Sequence, residues 1–348
     1  MAYTTINKST DHFNTKLYTG TGSSNAITGV GFQPDWVWIK NRSANANHHS
    51  FDVVRGVTKD LSPNLSNAES TDAQKLTTFG TDGFTVGTNG NVNGNGNNIV
   101  SWNWKAGTTS SISGGSITPS SVSINTTSGF GIYKWTGTGS TGTIAHGLGA
   151  VPKFMFIKNL SSAESWRVYH HSLGNATSLK LNTSDATFSD TGAFNSTTPT
   201  STLFTVGNSD STNKSGDSII AYVFAEKTGY SKFGSYIANG AASDANFIYT
   251  GFKPAWVLFR KTTGDNWLIL DNKRSSTSGG NLLDFHLRAN LSNAEEDLSS
   301  ATNGVDFLSN GIKLRKNNGE FNTSGVTFIY IAFGQSLVGS NNVPCTAR

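Results

Sequence analysis

The sequence repeats one motif three times, and this internal repetition constrains the fold more than any other feature. Each copy has a glycine, then a proline three residues later, then an alternating apolar run that ends in a basic residue. The copies are GFQPDWVWIK at 31–40, GAVPKFMFIK at 149–158 and GFKPAWVLFR at 251–260. Their prolines, Pro34, Pro152 and Pro254, give three fixed points from which the rest of each copy can be aligned.

Further matches follow each proline in the same order. The turn NLSNAE occurs at 64–69 and again at 290–295, and FTVG occurs at 84–87 and again at 204–207. Ordered matches of this kind indicate three homologous domains of about 100 residues, which is an ordinary domain size. We predict a first domain with an N-terminal arm, a second domain, and a third domain with a C-terminal tail. Their bounds are 1–114, 115–228 and 229–348.

The apolar residues inside each copy alternate with a period of two. In DWVWIK, Trp36 and Trp38 share one face of a strand, and Val37 and Ile39 share the other. Aromatic residues make up 11% of the chain, too many for a disordered protein. The 38 glycines disfavour long helices. We predict an all-β protein of three tandem antiparallel β-sandwich or jelly-roll domains with short one-turn helices.

Two local signals refine this prediction. Ser66 to Glu69 and Ser292 to Glu295 match the S-x-x-E capping box, and each is expected to open one helical turn. The segment 107–129 has the composition of a linker, yet its apolar residues Val122 and Ile124 fit an edge strand of the second domain.

Charge and hydropathy exclude two classes of partner. The net charge is +4, from 26 basic and 22 acidic residues that are spread along the chain. Without a basic patch, we expect no binding to nucleic acid. The apolar run AWVLF at 255–259 is far too short for a membrane span. The single cysteine, Cys345, allows no intrachain disulfide. The N-terminus shows no secretory signal, so we expect synthesis in a cytoplasm.

No motif indicates an enzyme. GTGSTG at 137–142 matches G-x-G-x-x-G, but another apparent strand follows it, so we interpret it as a glycine-rich hairpin. There is no G-x-S-x-G elbow and no prominent carboxylate pair. We therefore assign no catalytic residue and no cofactor or cofactor-binding residue.

Metal-ligand spacing is also missing. His48–His49 and His170–His171 are adjacent pairs, whose side chains point to opposite faces of a strand. We assign no metal residue, although calcium stays open for the loop 208–218, which contains Asp210 and Asp217.

The tryptophans are interpreted as core rather than as a ligand platform. Trp36, Phe154 and Trp256 occupy one repeated position, and we align Phe51, Trp166 and Trp267 at a second. Residue types kept in three copies of one chain suggest a scaffold, so features of a single copy are better binding candidates. These are the loop TNGNVNGNGNN at 88–98, Trp135, the pair Lys273–Arg274 and the pair Arg315–Lys316.

The repeats resemble a family from tailed bacteriophages of marine bacteria and cyanobacteria. The resemblance covers nearly the whole chain. It rests on GFQPDWVWIKNR, TDGFTVG and NIVSWNWKAG in the first copy, on TIAHGLGAVPKFMFIKN in the second, and on IYTGFKPAWVLFRK and DFLSNGIKLR in the third. The second copy departs by having SDAT where the others have SNAE. The resemblance implies a tail-fibre-like virion structural protein and supplies no catalytic residues.

From this we expect a virion protein whose main task is adhesion. It would be a tail-fibre or head-decorating protein that presents loops to host-surface glycans, bound to other virion proteins, with residues 1–15 as the anchor. A homo-oligomer is expected, with a trimer favoured. The alternative is a purely structural capsid-decoration or tail-adaptor component without a host ligand.

Overall fold

The protein is all-β, as the period-two alternation and the composition predict. A computed structural model describes residues 4–107, 111–275, 282–298 and 304–337. Strands make up 42% of the structure and helices 6%. The sheets are antiparallel throughout the described pairings, which suits a chain rich in aromatic and turn-forming residues.

Nine strands, β1–β9, form the first repeat. Their bounds are Phe13–Thr19, Asn25–Thr28, Trp36–Asn41, His49–Asp52, Lys59–Asp60, Ser70–Thr71, Leu76–Gly80, Gly83–Val86 and Asn98–Trp104. The large sheet has the order β1-β9-β3-β4, the small sheet has the order β2-β8-β7, and β5 pairs with β6.

Nine strands, β10–β18, form the second repeat. Their bounds are Ser121–Asn125, Phe130–Thr136, Gly142–Ala145, Pro152–Asn159, Arg167–His170, Thr177–Lys180, Phe188–Ser189, Leu203–Val206 and Ser218–Ala225. The large sheet has the order β10-β11-β18-β13-β14-β15-β16, and β12 pairs with β17. The expected edge strand is confirmed, because β10 is the outermost strand and carries Val122 and Ile124.

Ten strands, β19–β28, form the third repeat. Their bounds are Ser231–Ile237, Phe247–Tyr249, Pro254–Lys261, Trp267–Asp271, Leu282–Leu283, Phe285–Arg288, Glu296–Asp297, Val305–Leu308, Gly311–Leu314 and Thr327–Gly334. The large sheet has the order β19-β28-β21-β22-β24-β25, and the small sheet has the order β20-β27-β26-β23.

The helices are single turns, but they do not lie where the capping boxes predicted. The α-helices are Gly90–Asn93, Thr191–Phe194 and Asp210–Asn213, and the 3-10 helices are Ser9–Asp11 and His171–Leu173. Residues 66–69 and 292–295 are not helical. The two glutamates instead form ion pairs, Glu69 with Arg55 and Glu295 with Arg42 and Arg274. The capping-box prediction is therefore wrong.

Each repeat has a core of its own on one face of its large sheet. In the first repeat, Val37, Ile39 and Phe51 of the large sheet pack with Ile27 and Phe84 of the small sheet. Equivalent clusters lie in the second and third repeats. This packing accounts for the apolar residues on one face of each central strand.

The opposite faces of the three large sheets meet in one shared core, which we call the central core. It contains fully buried residues from all three repeats, including Trp36, Trp102, Phe154, Tyr222 and Trp256. The rings are in contact across the repeats. The Trp36 ring stacks on Tyr222 with centroids 4.5 Å apart, and Trp104 meets Trp256 edge-on at 5.7 Å. The second apolar face of each central strand is thus explained by contact between repeats.

Strand register corrects one of the predicted equivalences. The residues opposite Trp36, Phe154 and Trp256 on the next strand are Asp52, His170 and Asp271. These three residues are equivalent, and the residues four positions before them are His48, Trp166 and Trp267. Trp166 and Trp267 therefore align with His48, not with Phe51. Phe51 faces the first repeat's own core.

Backbone hydrogen bonds join the repeats in a closed ring. The Glu69 N–H of the first repeat donates to the Leu160 carbonyl of the second at 2.9 Å. The Thr187 N–H of the second repeat donates to the Thr262 carbonyl of the third at 2.9 Å. The Glu295 N–H of the third repeat donates to the Arg42 carbonyl of the first, also at 2.9 Å. Three equivalent bonds that run first to second, second to third and third to first define a pseudo-three-fold arrangement within one chain.

Side chains close the same ring in the opposite direction. The indole N–H of Trp166 donates to the Ser62 carbonyl of the first repeat at 3.1 Å, and that of Trp267 donates to the Lys180 carbonyl of the second at 2.8 Å. At the third interface His48 replaces the tryptophan. Its Nδ1 accepts from the Trp38 indole, so Nε2 carries the proton and donates to the Arg288 carbonyl at 3.0 Å.

The N-terminal segment is part of the folded unit as far as the structure describes it. Ile6 is 2% exposed and belongs to the central core, and β1 begins at Phe13. The Thr4 hydroxyl donates to the Thr228 carbonyl at 2.6 Å. The expectation that 1–15 forms a separate arm is wrong for residues 4–15, because they bridge repeats. None of the described helices has the length and apolar character needed to cross a membrane.

Candidate functional site

The outer face of the third repeat carries an exposed aromatic pair. Phe247 and Tyr249 lie on β20 and are 46% and 61% exposed. Because alternate residues of a strand point the same way, the two rings share one face roughly 7 Å apart. Ile248 between them is buried in the repeat's own core. We call Phe247, Tyr249 and the neighbouring Lys313 the aromatic platform.

The platform's geometry is set by its neighbouring strand. Phe247 lies opposite Lys313, and Tyr249 lies opposite Gly311 on β27. A Cβ atom at Gly311 would be 2.4 Å from the Ile248 carbonyl oxygen and 2.5 Å from Cζ of Phe247, so a larger residue there would displace the paired strand and the ring. Lys313 donates to the Ala245 carbonyl and pairs with Asp244 at 3.5 Å. The platform is therefore two rings beside one cation.

This pair belongs to the third repeat alone. Register places Ala26 and Thr28 at the equivalent positions of the first repeat, and Thr143 and Ala145 at those of the second. Sequence reasoning missed the pair. The signal was available, since aligning NAIT and GTIA with NFIY shows large aromatics only in the third copy at outward positions.

Strand β20 is also an edge of its sheet. It pairs on one side with β27 and ends the order β20-β27-β26-β23. The equivalent edge in the second repeat is covered by the preceding segment, since the Ile117 N–H donates to the Thr143 carbonyl at 2.9 Å. Ile237 is another exposed apolar residue of the third repeat, with 66% of its surface accessible. It lies near β20, because the side chain of Asn246, the residue before Phe247, donates to the Ile237 carbonyl at 3.0 Å.

Two of the predicted binding candidates prove to be structural. Trp135 is fully buried in the second repeat's own core. Arg274 is 1% exposed and forms ion pairs with Asp271 at 2.6 Å and Glu295 at 2.7 Å. These interpretations as ligand contacts are wrong. Lys273, by contrast, is exposed and lines a cleft between repeats.

The asparagine-rich loop 88–98 is largely used to hold the first repeat together. Asn89 caps the helix Gly90–Asn93 by accepting from Asn91 N–H at 2.9 Å. Asn93 is fully buried, and its amide donates to the carbonyls of Ser23 and Gly87. Asn213 and Asn322 make matching bonds in the other repeats. Asn89 and Asn93 therefore have structural roles, whereas Asn95 and Asn98 of the same loop are exposed.

The remaining polar candidates have partners of their own. Arg315 is 54% exposed at its side chain and forms an ion pair with Asp306. In the loop 208–218, Asp217 accepts from the Ser162 hydroxyl at 2.6 Å and from the Asn159 amide at 2.9 Å. These bonds lower its pKa. Across the ranges that the structure describes, no group of three His, Cys, Asp or Glu side chains is placed to hold a metal ion.

GTGSTG connects two sheets instead of forming a hairpin. It runs from β11 in the large sheet to β12 in the small sheet of the second repeat. Gly139 has a φ of 69°, in the left-handed region that favours glycine. A Cβ atom at Gly137 would lie 2.1 Å from the Lys214 carbonyl. Close packing explains these glycines, and no helix follows to receive a phosphate.

Three buried cations occupy the basic position that ends each motif. Lys40 donates to the carbonyls of Asn41, Ala46 and Ser292, and burial lowers its pKa to about 8. Burial likewise lowers the pKa of Lys158 to about 8 and that of Arg260 to about 10. Lys40 and Arg260 bond across to a neighbouring repeat, so these two cations serve the ring contacts rather than a ligand. Lys158 bonds within its own repeat, to the carbonyls of Asn159 and Ser162.

The comparisons with known proteins identify a family and little more. The chain belongs to the DUF7483 family, described as a domain of unknown function, whose model matches residues 8–336. That match extends across all three repeats. Comparison with curated proteins and with solved structures found no match.

Proposed function

We propose that the protein is a structural component of a bacteriophage particle that attaches to host-surface glycans, as a tail-fibre or head-decorating protein. The sequence resemblance to phage virion proteins supports the setting. One observation supports adhesion, namely the aromatic platform. All eight tryptophans of the chain are buried, whereas Phe247 and Tyr249 of the platform are exposed side by side.

The chemistry of the platform suits a saccharide. Ring faces pack against the C–H groups of a sugar, and the tyrosine hydroxyl adds a hydrogen bond. A spacing of roughly 7 Å along the strand lets consecutive sugar units meet consecutive rings. Lys313 would favour an acidic chain, because a cation beside the rings attracts carboxylates. Its ion pair with Asp244 is long, at 3.5 Å, and the Asp244 side chain is fully exposed, so a carboxylate of the ligand can replace that weak partner.

The scaffold has the properties that such a task needs. We propose that each repeat is a β-sandwich domain, within the bounds 1–114, 115–228 and 229–348, and that the three act as one rigid block through the central core. Rigidity keeps the platform ordered before binding, which reduces the entropic cost of association. A homo-oligomer, with a trimer favoured, would add avidity by presenting several platforms.

A glycan array compares the native protein with Phe247→Ser/Tyr249→Ser. We expect selective binding to acidic polysaccharides by the native protein and at least about a tenfold loss in the double variant, equal to about 1.4 kcal/mol. The matched control is Val57→Ser/Val151→Ser, which removes two other exposed apolar side chains and should bind normally.

Two results would redirect the proposal. Equal binding by the platform variant and the native protein would exclude the platform as the site. No glycan binding at all, together with labelling of the protein on phage particles by immunoelectron microscopy, would support the purely structural role. Absence from particles would contradict the virion assignment itself.

A further inference from the structure

A cleft of about 360 Å³ opens between the first and third repeats, away from the aromatic platform. Its floor includes Phe13 and Ala255, and hydroxyl and amide side chains surround it. The volume lies within the range of small-molecule sites, about 300–1,000 Å³. The platform and this cleft share no residue.

The cleft exists because one position departs from the pseudo-three-fold pattern. Thr15, Ile132 and Phe233 occupy equivalent positions in the three repeats. Their partners on the neighbouring central strands are Trp102, Tyr222 and Ile331, respectively. Ile132 and Phe233 are buried in the central core. The much smaller Thr15 leaves unfilled the space that the larger side chains occupy at the other two interfaces.

The equivalent interface between the second and third repeats is closed. There Phe233 stacks on Phe154 with centroids 5.9 Å apart, and His171 bonds to the Phe233 carbonyl at 2.8 Å. His170 and Asp271 are equivalent by strand register, so the residues that follow them, His171 and Asn272, are equivalent too. At the open interface Asn272 therefore takes the place of His171. Two shorter side chains therefore open the cleft.

The cleft contains an unsatisfied polar atom. Thr15 is 6% exposed, and its hydroxyl has no hydrogen-bond partner in the part of the chain that the structure describes. A buried hydroxyl without a partner destabilises the protein, and a ligand hydroxyl that bonds to it recovers that cost. The unpartnered hydroxyl and the volume of the cleft together indicate a ligand site.

The remaining lining defines the ligand's charge. Lys273 is exposed at the cleft and forms no ion pair with the residues that the structure describes. The lining contains no acidic side chain. Asn272, Gln335 and Ser336 add amide and hydroxyl groups. One cation with several neutral donors and acceptors matches a molecule with one carboxylate and several hydroxyls.

We infer that this cleft binds a sugar acid, with its carboxylate at Lys273 and a hydroxyl at Thr15. The apolar floor of Phe13 and Ala255 faces the C–H side of the sugar ring. The inference stands independently of the proposed function, because it concerns a monomeric ligand at a different surface.

Isothermal titration calorimetry with D-glucuronate tests the inference, with D-glucose and acetate as separate arms. Saturable binding of glucuronate is expected. Glucose lacks the carboxylate and acetate lacks the hydroxyls, so each should bind at least about tenfold more weakly. Lys273→Ser should weaken glucuronate binding by about tenfold or more. Lys134→Ser is the matched control for net charge and should bind normally.

Thr15→Ile inserts the residue of the second repeat and should abolish binding. Thr15→Val removes only the hydroxyl and should weaken binding while keeping the cleft open, so it tests the same point if the isoleucine variant misfolds. No saturable binding of glucuronate to the native protein would overturn the inference. So would native affinity in both Thr15 variants.

Discussion

The indole Nε1 of Trp102 donates a 2.9 Å hydrogen bond to Oδ2 of Asp271, joining the last strand of the first repeat to the third repeat. The equivalent bond between the second and first repeats runs from the Tyr222 hydroxyl to Asp52 at 2.7 Å. Both carboxylates are fully buried, and each also holds a buried arginine, Arg274 or Arg55. The ring thus contains two matching charged junctions.

Asp271→Asn should strongly destabilise the protein. The change leaves Arg274 buried without its main counter-charge, and breaking one half of a buried ion pair costs about 3–5 kcal/mol. Urea denaturation followed by tryptophan fluorescence measures the loss. Asp185→Asn is the control, because its pair with Lys180 is exposed and worth about 0–1 kcal/mol. Equal effects of the two substitutions would contradict the junction's role.

Trp166→Ala should lower the free energy of unfolding by about 3–5 kcal/mol, as expected for a large buried aromatic. Trp166→Phe retains most of the volume and removes the indole N–H that reaches Ser62, so it should cost about 1 kcal/mol. Both values come from denaturant titration. A native-like melt for the alanine variant would show that Trp166 does not hold these repeats together.

Acid should destabilise the protein through His170. Burial, aided by the neighbouring His171 and Lys153, lowers its pKa to about 3, whereas an unfolded histidine titrates near 6.5. The unfolded state therefore binds the proton first. The stabilisation is complete above about pH 6.5 and is lost progressively as pH falls toward 3. His170→Gln should flatten this part of the stability profile, and an unchanged slope would contradict the assignment.

Removing residues 2–12 should destabilise the fold. The deletion takes Ile6 out of the central core and breaks the bond from Thr4 to Thr228. Loss of one buried isoleucine side chain alone costs about 2–5 kcal/mol. Thermal melting of the truncated protein measures the effect. A melt identical to that of the full chain would mean that this segment is a dispensable arm.

The sequence predicted the strands and the burial of the tryptophans, but it did not predict what covers them. Trp36, Trp102, Trp166, Trp256 and Trp267 were all expected in the core, and each is at most 2% exposed. Period-two alternation shows that both faces of a strand are apolar. It does not show that one face meets another repeat, since that contact depends on how the repeats are placed in space.

The candidate sites were harder to predict for a related reason. The sequence prediction treats Trp135 and the pair Lys273–Arg274 as features of a single copy, yet Trp135 and Arg274 are buried in the structure. Arg274 also has a counterpart in the first repeat, because Arg55 follows Asp52 as Arg274 follows Asp271. Thr15 becomes informative only when strand register aligns it with Ile132 and Phe233. The capping-box motifs failed because Glu69 and Glu295 bond to arginines that are distant in the sequence or lie in another repeat.

The central claim is that three repeats close around one shared core, and differential scanning calorimetry tests it most directly. Because every repeat buries one face of its large sheet in the central core, no repeat can unfold without exposing the others. We predict one transition whose van't Hoff and calorimetric enthalpies agree. Two or three separable transitions, each assignable to one repeat, would contradict the account.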